Sequence, residues 1–71
     1  MPFKAVTGFE PDTLVLLQRV YDEVCALLKE AKGTYPDEKI RSALAQVIVQ
    51  HAMKGERDVD KLTAYGLAEV A

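Results

Sequence analysis

Residues Leu14–Ala31 read LVLLQRVYDEVCALLKEA, and their spacing decides the fold class. At about 100° per residue, apolar side chains recurring every three or four positions share one side of a helix. Leu14, Leu17, Tyr21, Val24, Leu28 and Ala31 form such a seam. Leu16, Val20 and Leu27 widen it on one flank and Cys25 on the other. The apolar arc reaches about 180°, against roughly 100° for an ordinary surface helix. Gln18, Arg19, Asp22, Glu23, Lys29 and Glu30 hold the opposite side. Glu10-Pro11-Asp12 opens this helix: proline needs no N–H at the first helical position, and the acid complements the positive end of the helix dipole. Gly33 offers the left-handed residue that ends many helices.

A second helix opens at Thr34-Tyr35-Pro36-Asp37-Glu38, with Pro36 near its first position and two acids following. Its apolar face carries Ile40, Leu44, Val47, Ile48 and Ala52, while Val49 and Met53 lie off centre; Gly55 terminates it. Asp58 is placed to cap a third helix by accepting from free backbone N–H groups. Val59, Leu62, Gly66 and Val70 share a face of that helix. A glycine inside a helix costs about 1 kcal/mol relative to alanine; on the packing face it lets another backbone approach. Upstream, Phe3, Val6 and Phe9 recur every three residues in an arm, residues 1–10, that either straps the helical body or docks through Phe9 alone. The expectation is an all-α single domain over residues 1–71, with helices at about 11–32, 36–54 and 58–70.

The chain of 71 residues carries nine Lys/Arg and eleven Asp/Glu, for a net charge of −2, with the signs interleaved. That balance lacks the basic patch of a nucleic-acid binder. Leu14–Ala31 holds five charged residues, so it is no membrane span. The N-terminus lacks the apolar core of a signal peptide, and the lone thiol of Cys25 suits a reducing compartment, so a cytoplasmic protein is expected. One Cys and one His supply neither an internal disulfide nor a four-ligand zinc site. No cofactor and no metal are expected.

The segment Ile48…Ala52-Met53-Lys54-Gly55-Glu56-Arg57-Asp58-Val59-Asp60-Lys61-Leu62 resembles a pattern in small helical proteins of rhizobia and related alphaproteobacteria. In these a helix meets a GERD turn and a further helix with Leu four residues after the Asp. The resemblance covers about the last thirty residues and implies a bacterial source and a helical fold. It implies no activity and no functional residues.

Residues with chemical potential also have structural readings. His51 falls on the apolar face of the second helix, as a pH-sensitive or metal-binding group or as a half-buried histidine bonded to a carboxylate or carbonyl. Cys25 reads as a small core hydrophobe, since a nucleophile needs a base and an oxyanion site. Asp22/Glu23, Asp37/Glu38 and Asp58/Asp60 read as solvated or capping acids. Glu56 and Arg57 are expected on an exposed turn, packing and capping or meeting a partner. A helix-turn-helix reading of the last two helices founders on the third, whose polar residues include one base, Lys61.

An uncovered apolar face marks an interface. The expectation is therefore a non-enzymatic helical interaction module, a homodimer pairing the first helix with its mate, most simply antiparallel; a compact monomer with the first helix central is the competing structure. Its candidate interface is Leu14, Leu17, Tyr21, Val24, Cys25 and Leu28, and Asp at Leu17 or Val24 is expected to break it. Another protein is a further partner. The alternative is a small nucleic-acid-associated regulator that gathers Arg19, Lys39, Arg41, Lys54 and Arg57.

Overall fold

The computed structural model describes residues 8–70, so Phe3 and Val6 lie outside the described residues. The fold is all-α: α1 spans Pro11–Lys32, α2 Glu38–Met53 and α3 Val59–Val70. Each boundary has a local cause. Pro11 starts α1, and Leu14 N–H donates to the Glu10 carbonyl at 3.1 Å. Gly33 ends α1 at φ +78°, its N–H donating to the Lys29 carbonyl at 2.7 Å.

The second helix starts two residues later than the proline suggests. Asp37 is its cap, the carboxylate accepting from Ile40 N–H at 3.0 Å. Pro36 precedes the cap and is buried, and its carbonyl accepts from Arg41 Nη1 at 3.1 Å. At the other end, Glu56 N–H donates to the His51 carbonyl at 3.1 Å and Gly55 N–H to Ala52 at 3.0 Å. This is the Schellman closure, with Gly55 at φ +99° in the left-handed position it requires. The Asp58 carboxylate then caps α3, accepting from Asp60 N–H at 2.9 Å and Lys61 N–H at 3.2 Å.

The three helices pack pairwise around one core. Leu17, Val20 and Val24 of α1, Leu44 and Ile48 of α2 and Leu62 of α3 are fully buried. Gly66 makes this possible. A Cβ built there would lie 2.7 Å from Leu44 Cδ1 and 3.3 Å from Val24 Cγ2. The missing side chain lets α3 close on α1 and α2 together, and what comes close is the side chains of Leu44 and Val24 where another backbone was expected.

The packing overturns the proposed interface. Leu17, Tyr21, Val24, Cys25 and Leu28 are buried within one chain, and Leu14 is half-buried against the same core. Two short helices do cover most of the broad arc, so its width no longer argues for a second copy. The arc runs out at its edges, where Leu27 and Ala31 stay exposed.

Candidate functional site

Three clusters bring chemistry-bearing residues together. The first lies where the chain enters α1. Phe9 is half-buried and packs against the core. The Arg57 guanidinium sits 5.5 Å from the Phe9 ring centroid and donates from Nη1 to the carbonyls of Ala52 (2.6 Å) and Glu56 (2.9 Å). Arg57 therefore closes the end of α2, where a cation is favoured by the helix dipole, and holds the root of the arm against it. Phe9, Val49, Ala52, Met53 and Arg57 border an open hollow of about 350 Å³. Met53 is 73% exposed on its rim.

The turn residues divide. Arg57 is exposed, as expected, with its guanidinium engaged as above. Glu56 is half-buried instead, and its Oε1 is shut away from solvent. The Schellman closure turns the backbone at Glu56 back over the end of α2 and takes the side chain inward.

The second cluster joins α1 to the following turn. Cys25 is buried, and the phenols of Tyr21 and Tyr35 interact with its thiol. Arg41 lies 5.5 Å from the Tyr35 ring centroid. Burial pushes the Tyr21 phenol above its ordinary value, with repulsion from Cys25 and Tyr35 adding to it and Arg41 pulling back. Hydrogen bonding to the Cys25 thiol, then burial, pushes Tyr35 up. Both phenols keep their protons more firmly than a free tyrosine does.

In the third cluster the His51 ring stacks on Tyr65 of α3, centroids 4.1 Å apart and planes within 11°. His51 is half-buried, as its place on the helix suggests, and its partner among the described residues is an aromatic ring where a carboxylate or carbonyl was expected.

Two of the basic residues considered for nucleic acid lie far apart along one helix. Arg41 and Lys54 sit near opposite ends of α2, about 20 Å apart at 1.5 Å per residue. Arg41 and Arg57 donate to backbone carbonyls. Among the described residues no group of three His, Cys, Asp or Glu side chains converges to hold a metal ion. No described helix is long and apolar enough to cross a membrane. No family model, curated protein or solved structure matches the chain.

Proposed function

We propose that the chain is a non-enzymatic helical interaction module, cytoplasmic and homodimeric, that binds another protein through its helical surface. The observation that carries the reading is the hollow bordered by Phe9, Val49 and Met53, with Arg57 at its rim. Apolar side chains grouped there, with a cation beside them, form the kind of patch that an apolar side chain of a partner fills. The other reactive groups have tasks in the fold: Cys25 fills the core, His51 stacks on Tyr65, and Asp37 and Asp58 cap helices.

Affinity capture from an alphaproteobacterial lysate, with mass-spectrometric identification, tests the reading. Met53→Asp places a charge on the rim without touching the buried core. It should abolish capture of the protein that the native chain retains, while the circular dichroism of the two chains stays the same. Equal capture by both chains, or capture by neither, would refute a binding role for this surface.

A further inference from the structure

The outer face of α1 carries a row of residues at alternating spacings of three and four: Asp12, Val15, Arg19, Asp22, Ala26 and Lys29. All six are exposed, Val15 to 66%. The row is a separate stripe from the buried seam, and its middle lies along a shallow trough bordered by Val15, Arg19, Asp22 and Ala26. Its order is complementary to its own reverse. We infer that this stripe is where two copies of the chain pair, with their α1 helices antiparallel and a two-fold axis between residues 20 and 21. The inference rests on the homodimer reading and assigns it a face and a register.

In that register each residue meets the one whose number completes a sum of 41. Asp12 faces Lys29 of the second copy, Val15 faces Ala26, and Arg19 faces Asp22; the two-fold axis repeats every pair. A dimer then has four pairs of opposite charge and two small apolar layers, and alanine there lets the helices approach closely. Within the chain Asp22 accepts from Gln18 Nε2 through Oδ1, at 2.9 Å, so the Arg19 pairing calls on the other oxygen.

The alternative arrangements are worse. Parallel in-register pairing sets Asp12, Arg19, Asp22 and Lys29 each against its own copy, four layers of like charge. Sliding the antiparallel pair by one heptad sets Asp12 against Asp22 in one direction and Arg19 against Lys29 in the other. Such mismatches select orientation and register as much as the matched pairs do. A contact confined to one helix face is small beside a standard interface, so the dimer is a weak one.

Sedimentation equilibrium from about 10 µM to about 1 mM tests the assignment over the range of a weak complex. The native chain should pass from 7.9 kDa toward twice that mass. Arg19→Asp turns two attractive contacts repulsive and should weaken association about tenfold. The double variant Arg19→Asp/Asp22→Arg restores opposite charges and should restore association. Circular dichroism should show all three folded, because both positions are exposed. A dimer indifferent to Arg19→Asp, or one that the double variant fails to restore, would overturn this face and register while leaving the homodimer reading intact. A monomer mass throughout would overturn the homodimer reading and this assignment together.

Discussion

Replacing Gly66 with alanine sets two effects of known size against each other. In an open helix the change should stabilise by about 1 kcal/mol, because glycine is the poorer helix former. Here the new methyl would meet Leu44 Cδ1 at 2.7 Å and Val24 Cγ2 at 3.3 Å, where carbon contacts are comfortable at about 3.5–4.0 Å. Leu44 must retreat by about 1 Å within a core where it is fully buried. Overpacking of this kind costs about 1–3 kcal/mol, so the packing term outweighs the propensity gain and Gly66→Ala should destabilise by about 1 kcal/mol. That is a sizeable share of the roughly 4–10 kcal/mol available to a chain of this length. A double-mutant cycle isolates the contact. Leu44→Ala alone should cost about 2–5 kcal/mol. In the double variant the methyl introduced at position 66 enters vacated space, so the total should fall short of the sum by about 1–3 kcal/mol. Urea titrations followed by circular dichroism give all four values. A Gly66→Ala chain more stable than the native one, or strictly additive costs, would refute the close approach of the helices.

Leu17→Asp puts a carboxylate into a fully buried apolar site, at a cost of several kcal/mol; the variant should lose its helical signal, whereas a folded monomer would refute the core assignment. At alkaline pH the two perturbed phenols matter. Their folded-state values lie above the ordinary 10.0, so the stability they contribute is complete below pH 10 and is lost as pH rises through the raised values. Tyr35→Phe should therefore flatten the fall in stability above pH 10, and an unchanged pH profile would refute the phenol–thiol coupling.

The helices were legible in the sequence because their signals act locally. Pro11, Gly33, Gly55 and Asp58 each sit beside the backbone groups they serve, so reading them needs no tertiary information. The start of α2 was ambiguous on those terms, since Pro36 as a first residue and Asp37 as a cap are both sound local readings. Burial of Pro36 and the bond from Arg41 to its carbonyl favour the cap. A helical wheel shows which side of α1 is apolar but not what covers it. That Leu17 and Val24 are covered within one chain depends on how closely α3 approaches, which Gly66 controls. The stacking of His51 on Tyr65 likewise depends on how α2 crosses α3, and no spacing along the chain reports that angle. The complementary order along the outer face of α1 was present in the sequence throughout. It gained meaning once the structure separated that stripe from the buried seam.

Gly66 also governs how the molecule comes apart. Its neighbours Leu44 and Val24 belong to the other two helices, so all three elements meet at one point. None is an outer layer that can peel away while a stable pair remains, because lifting any one strips cover from both of the others. Opening should then be all-or-none. The slowest-exchanging backbone amides of α1, α2 and α3 are expected to reach solvent through the same event, and exchange rates that separate one helix from the other two would refute this.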